Sequence, residues 1–277
     1  MIERAPDVAF TEQLGLNRRE AAGVSYVQGG SGPNLVLLHG GVASWLHWAR
    51  NIKELSRRFS VYALDLPGMG RSMNVPQDTG MDEFAALLLS GLDAIFDRGQ
   101  RFHLGAFSLG GLMGAAVAAQ RPERVLNLSM IMPGGFRPGE VNRIATQSAS
   151  ANMNDDQIRG VHRHNLAQLM LSSPSAIDDD AVTIQRYNIE HARFNGRKIA
   201  FGDHLGRFLP NVVCPVQLLV GERDPLPAPS VAARVAYIRE LSPNCEVHVV
   251  PEAGHWLIYE RPDVANALIA DFLHQTA

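Results

Sequence analysis

A serine hydroxyl is a useful nucleophile only where a base can take its proton and a carboxylate can hold that base in the right tautomer. One serine stands in a setting that would expose it, within Gly105-Ala-Phe-Ser-Leu-Gly-Gly111. An apolar stretch precedes it and an Ala- and Gly-rich stretch of helical character follows. Ser108 therefore falls on a sharp strand-to-helix turn, in a strained conformation that pushes Oγ clear of the backbone. Strand and helix pass very close at such a turn, so small residues are needed two before and two after the serine. Here they are Ala106 and Gly110, one methyl away from the usual Gly-x-Ser-x-Gly form.

The base expected for Ser108 is His255, presented by a loop after a strand in Val249-Val-Pro-Glu-Ala-Gly-His-Trp256. The orienting carboxylate is Asp224, which closes another strand in Val220-Gly-Glu-Arg-Asp224. Glu222 and Glu252 are rival carboxylates, but neither is the last residue of its strand-to-loop step. A second turn, Leu35-Val-Leu-Leu-His-Gly-Gly41, could bring the Gly41 amide beside that of Leu109, so that both stabilise negative charge developing on one oxygen. His39 reads as a loop-fixing hydrogen-bonder. His162 and His164 have no Asp, Glu or Cys ligand set nearby in sequence. They are read as a solvated face rather than a metal site, and no metal or organic cofactor is implied.

The elements that must hold these groups are readable. Apolar runs at 24–28, 35–38, 61–64, 102–106, 126–132, 216–220 and 246–250 predict strands, several of them continuous as buried parallel strands are. Helices are predicted over 44–58 (capped by Ser44), 81–98, 109–120, 230–241 and 262–274, the last with proline in its first turn. This alternation predicts an α/β fold with a mostly parallel sheet flanked by helices. From about residue 137 to 206 the rhythm breaks into helical patches with many polar side chains and the run Asp178-Asp-Asp180. A piece this long is unlike a structureless loop. It is read as a helical cap (137–206) inserted between core segments 1–136 and 207–277.

The 277 residues, 46% hydrophobic and 19% charged, suffice for a large core. A formal net charge of −3 gives no sign of a nucleic-acid or anionic-membrane partner. Two cysteines are too few for a disulfide framework, and no run approaches the ~18 apolar residues of a membrane span. The first residues lack the basic and apolar regions of a signal peptide. The expectation is a cytoplasmic protein acting on a small molecule, with a homo-oligomer left open.

At these residues the chain resembles the α/β-hydrolase superfamily over essentially its whole length, including Leu64-Asp-Leu-Pro-Gly-Met-Gly-Arg-Ser72 and the closing segment from Glu260 to Phe272. The order Ser, Asp, His along the chain is the one that fold uses. Within the superfamily it is most similar to the meta-cleavage product hydrolases, which split a carbon–carbon bond in vinylogous diketones from aromatic ring cleavage. The similar motifs are Arg50-Asn51, Met132-Pro-Gly-Gly135, Ser175–Val182 leading to Gln185-Arg-Tyr187, and Gly254-His-Trp256. That resemblance implies Arg186 as partner of a substrate carboxylate, and Asn51 and Trp256 as residues lining the reacting centre. Each also has a plain reading, as a surface charge, a polar helix residue and a packing residue. Phe107 stands where those enzymes carry asparagine, which would remove a polar contact and narrow the pocket. Carbon–carbon cleavage and carboxylesterase or thioesterase chemistry therefore stay open together. A small-ligand receptor that keeps the triad is a third reading.

Overall fold

The computed structural model describes residues 5–136 and 141–274. Eight strands form one sheet: β1 (Asn17–Ala21), β2 (Val24–Gly29), β3 (Asn34–Leu38), β4 (Ser60–Leu64), β5 (Phe102–Phe107), β6 (Val125–Ile131), β7 (Val216–Gly221) and β8 (Glu246–Val250). Their order is β1-β2-β4-β3-β5-β6-β7-β8. Pairings from β4 through β8 are parallel, and β2 meets both β1 and β4 antiparallel. The continuous apolar runs became the middle of the sheet, where β5 and β7 are buried at every residue.

Eleven helices are described: α1 (Pro6–Gln13), α2 (Ile52–Leu55), α3 (Met81–Ile95), α4 (Leu109–Gln120), α5 (Asp155–Leu169), α6 (Asp179–Glu190), α7 (Arg197–Ala200), α8 (Leu205–Phe208), α9 (Val231–Leu241), α10 (Leu257–Glu260) and α11 (Pro262–His274). Ser230 caps α9 through its side chain, accepting from the Ala233 amide at 3.2 Å. Among the described residues, no helix is long and apolar enough to cross a membrane.

One expectation is corrected, and two elements were not foreseen. The helix expected over 44–58 is a 3-10 turn, Trp45–Trp48, followed by the short α2. Ser44 still caps the turn, but the burial of Trp45, Leu46, His47 and Trp48 together forces a turn that faces all four side chains inward. β1, with sequence Asn-Arg-Arg-Glu-Ala, carries no apolar alternation because it is an edge strand. It is held by a two-residue hairpin at Ala22 and Gly23, both with positive φ (46° and 76°). α1 was also missed; it is tied down by Asp7, fully buried, which accepts from Arg18 at 2.7 Å and pairs with Arg71.

Between β6 and β7 the described chain is helical, with α5 packed on α6. The first four residues of the predicted 137–206 insertion lie outside the described residues. Asn154 and Gln157 make a capping box at the start of α5. The acidic run at 178–180 starts α6: Asp178 accepts from the Ala181 amide at 2.8 Å, and the next two acids sit in the first turn.

At Gly110 the backbones of two elements meet closely: a Cβ there would lie 2.5 Å from the Leu38 carbonyl oxygen and 2.7 Å from that of His39. Gly110→Ala should therefore destabilise by about 2–4 kcal/mol, read as a lowered Tm. Gly160→Ala, in an exposed position of α5 with open space around it, should raise stability by roughly 0.5–1 kcal/mol. Equal Tm changes in the two variants would contradict this account of the turn.

Candidate active site

Ser108 lies between β5 and α4 with φ 54° and ψ −115°, a conformation costly for a residue with a Cβ. The turn holds it there: the Ser108 amide donates to Ile131 O at 2.9 Å, and its carbonyl accepts from the Gly134 amide at 2.9 Å. Ala106, in place of the usual glycine, is accommodated by a second small residue. A Cβ on Gly114 would lie 2.9 Å from the Ala106 methyl, so α4 gives the room that the strand does not.

Asp224 and His255 are brought together by an equally close approach of two loops. A Cβ on Gly221 would meet the Gly254 and Ala253 carbonyl oxygens at 2.2 and 2.5 Å. The Arg223 amide donates to Ala253 O at 2.9 Å, which joins the loops after β7 and β8. Asp224 Oδ1 accepts from the Leu226 amide at 2.9 Å, leaving Oδ2 2.8 Å from His255 Nδ1. His255 Nε2 lies 3.1 Å from Ser108 Oγ. Glu222 accepts from the Glu252 amide and Glu252 pairs with Arg223, so both rival carboxylates are spent on lacing the loops together.

His39 fixes the glycine turn. Its Nε2 accepts from the Leu66 amide at 2.8 Å, so the neutral ring carries its proton on Nδ1, which donates to Gly40 O at 2.7 Å. Burial pushes its pKa down to about 4. Among the described residues neither the Gly41 nor the Leu109 amide donates to a protein acceptor, and Leu109 opens α4, whose N-terminal end favours negative charge.

A cavity of about 460 Å³ opens on this centre, lined by Gly40, Gly41, His47, Phe107, Ser108 and His255. Residues between β6 and β7, among them Ile144, Met170 and Phe201, form its other wall. A recess of about 30 Å³ adjoins this cavity, sharing Ser108, His255 and Leu226 with it and walled further by Met132, Phe136 and Val220; it holds a group of water or methyl size.

Of the residues suggested for substrate contact, Phe107 faces this cavity and three do not. Asn51 is fully buried elsewhere, its amide donating to Ile258 O and Asn266 Oδ1, both at 2.9 Å. Trp256 is buried beneath the floor, its indole N–H given to His47 O at 2.9 Å and its ring stacked on Tyr259. Arg186 points away from the site, to Asp155 on α5 and to Glu190 one turn along α6. The buried side of α6 is Ala181, Val182, Ile184, Tyr187 and Asn188, which leaves Arg186 on the other side. His162 is buried rather than solvated, whereas His164 is exposed. Among the described residues no group of three or more His, Cys, Asp or Glu side chains is placed to hold a metal ion.

His47 was missed. It lines the cavity and is almost wholly buried, yet its neighbours Gly40, Phe107 and Trp256 come from three separate parts of the chain. No local spacing could signal that.

A family model described as the alpha/beta hydrolase family matches residues 35–268, and the chain belongs to that family. Three curated relatives share its length in different degrees. The dihydrolipoyllysine-residue acetyltransferase component of an acetoin cleaving system from Pseudomonas putida is 30% identical over 89% of this chain, which spans 65% of that protein. A 2-hydroxy-6-oxononadienedioate/2-hydroxy-6-oxononatrienedioate hydrolase from Paraburkholderia xenovorans is 26% identical over 86% of each chain. The carboxylesterase YbfK of Bacillus subtilis is 27% identical over 87% of this chain and 80% of its own. Its crystal structure superposes with a TM-score of 0.73, covering 97% of this chain and 96% of that one at 20% identity, a likeness of fold.

Two outcomes follow from these placements. Arg186→Ala removes two exposed ion pairs, so turnover should stay within about threefold and stability within about 1 kcal/mol, measured by steady-state kinetics and thermal melts. A larger, substrate-dependent loss would return Arg186 to the site. His39, with its pKa lowered from 6.5 to about 4 in the folded chain, binds its proton more readily when unfolded. Its contribution of about 3 kcal/mol is present above pH 6.5 and lost as pH falls from there to about 4. Urea unfolding across that window should show a slope smaller by about one proton in His39→Gln.

Proposed function

We propose that this chain is a serine hydrolase of small carboxylic esters, with Ser108 as nucleophile, His255 as base, Asp224 as the group orienting the base, and the segment between β6 and β7 as a lid over the pocket. The observation that carries the reading is the unbroken hydrogen-bonded series from Asp224 through His255 to Ser108 Oγ at the floor of a cavity.

In this mechanism His255 Nε2 takes the Ser108 proton as Oγ bonds to the carbonyl carbon, and Asp224 stabilises the imidazolium. The amides of Gly41 and Leu109 hold the oxyanion. Its collapse breaks the bond to the alkoxy oxygen, which leaves with the proton from His255. Water then gives a proton to His255 and attacks the acyl carbon, freeing the acid and restoring the serine.

Carbon–carbon hydrolysis is the second reading, supported by the oxononadienedioate hydrolase relative. It ranks lower because the arginine and asparagine that the resemblance would need are spent elsewhere, Arg186 on Asp155 and Glu190, Asn51 on Ile258 and Asn266. A non-catalytic receptor would keep the pocket without turnover.

One experiment separates the three. A fluorophosphonate probe should label the wild type and leave Ser108→Ala unlabelled, and that substitution should lower turnover of an activated short-chain ester by about 10⁴–10⁶-fold. A synthetic 2-hydroxy-6-oxo-dienoate should be turned over far more slowly than the ester. Preference for the dienoate would favour carbon–carbon cleavage. Labelling without turnover of either substrate would favour a receptor.

A further inference from the structure

The cavity floor contains a polar group that the reaction as described does not use. His47 lies in the 3-10 turn after the His-Gly-Gly loop, 3% exposed, and faces the same cavity as Ser108. The Gly40 amide approaches its Nδ1 at 3.4 Å. An amide can only donate, so Nδ1 is the unprotonated nitrogen and the neutral ring carries its proton on Nε2. Burial, with His39 and His255 nearby, holds His47 well below the usual histidine pKa, and the ring is therefore neutral at neutral pH. Among the described residues no protein group accepts from Nε2. That N–H is therefore available to an acceptor entering the cavity, in exchange for water.

The ring is held in one orientation. Its edge rests on Phe107 with centroids 5.3 Å apart, and Trp256 lies 4.9 Å away with its indole N–H bonded to the His47 carbonyl. Phe107 in turn lies 5.2 Å from His255, so one phenyl ring is in contact with both imidazoles. The space vacated by a side chain at Gly40 touches all three neighbours: a Cβ there would be 3.3 Å from Ser108 Cβ, 3.3 Å from Phe107 Cε1 and 3.4 Å from His47 Cε1. His47 thus lines the same cavity as Ser108, with Phe107 packed against both it and His255. Its donor is available to an acceptor held in that cavity alongside the reacting carbonyl.

We propose that His47 is a substrate-positioning residue, whose Nε2–H donates to a second oxygen carried close to the reacting carbonyl. The substrate class is then an oxygen-substituted acyl ester, such as an alkoxy-, hydroxy- or oxo-acyl ester, in preference to a plain alkanoate. This rests on the serine hydrolase reading above. A donor placed to pair with a substrate oxygen discriminates against an isostere that leaves it unpaired.

The test uses two p-nitrophenyl esters of one shape, methoxyacetate and butyrate, which differ by an oxygen in place of a methylene. Because the ether is intrinsically more reactive, the quantity read is the ratio of kcat/KM for the two esters, compared between proteins. His47→Leu should lower that ratio about 10- to 100-fold. His47→Gln, which offers an amide N–H from a similar place, should recover part of it, and the loss should fall on KM more than on kcat. Fluorophosphonate labelling of Ser108 and thermal melts check that each variant keeps its site. An unchanged ratio in labelled His47→Leu, or a ratio equally lowered in His47→Gln and His47→Leu, overturns the assignment and leaves the hydrolase reading standing. No turnover of either ester by the wild type would overturn the hydrolase reading, and this one with it.

Discussion

The structure depends on the turn at Ser108, where β5 gives way to α4 with no space to spare. Gly110 lies against the carbonyls of Leu38 and His39, so the end of β3 and the start of α4 are in contact at backbone level. That contact puts the His39-Gly-Gly41 loop beside Ser108, since β3 and β5 are neighbours in register, Leu38 opposite Ala106. The Gly110 amide itself donates to His39 O at 3.0 Å, so the strained serine is held by main-chain bonds on both sides. Strain at a functional residue persists only where its surroundings over-determine it, and here they do. The second half of the site repeats the device at Gly221, where two loops touch through backbone and deliver Asp224 to His255.

Beside these turns runs a row of packed imidazole and aromatic rings. His255, Phe107, His47, Trp256 and Tyr259 follow one another at centroid distances of 5.2, 5.3, 4.9 and 4.1 Å. The series continues to the helix above the site: Arg50 stacks on the Tyr259 ring at 3.9 Å, and the Tyr259 hydroxyl donates to Asp178, the cap of α6, at 2.6 Å. Arg50 also pairs with Asp178 directly. Three of the motifs that suggested substrate contacts, around residues 50, 178 and 256, are thereby parts of one brace between the base and α6. Their spacing reflects packing, whichever substrate the pocket takes.

What the sequence disclosed follows from how local each signal is. The strands of the sheet centre were legible because a strand buried on both faces is mostly apolar, as 35–38 is throughout and 216–220 is except for Gln217, whose side chain is satisfied by Ser129 and Leu268 O. The strand-turn-helix at Ser108 and the strand-loop steps at Asp224 and His255 were legible because each is a local pattern with a steric reason. β1 and α1 were not, since Arg18 and Asp7 owe their places to each other across the chain rather than to periodicity. Arg186 marks the boundary between the two cases. A family motif suggested its role, but the periodicity of α6 held the contrary information, because Ile184, Tyr187 and Asn188 define the buried side and Glu190 stands one turn away to pair with it. His47 had no such local cue.

The segment between β6 and β7 and the loop that carries His255 are joined along one edge. The Trp256 amide donates to Met170 O at 2.7 Å, and Glu260 accepts from the amides of Gly254 at 2.7 Å and Ser173 at 2.6 Å. A Cβ on Gly254 would lie 2.9 Å from Met170 O, so even the smallest side chain would part them. Separation of the segment along that edge would therefore pull on the loop that carries His255. The opposite edge is held differently. There the chain is pinned at Val141 and Asn142 to the loop after Asp224, while most residues from 143 to 153 are exposed. The asymmetry braces the loop that carries His255 on one edge and leaves the stretch from 143 to 153 largely in contact with solvent on the other.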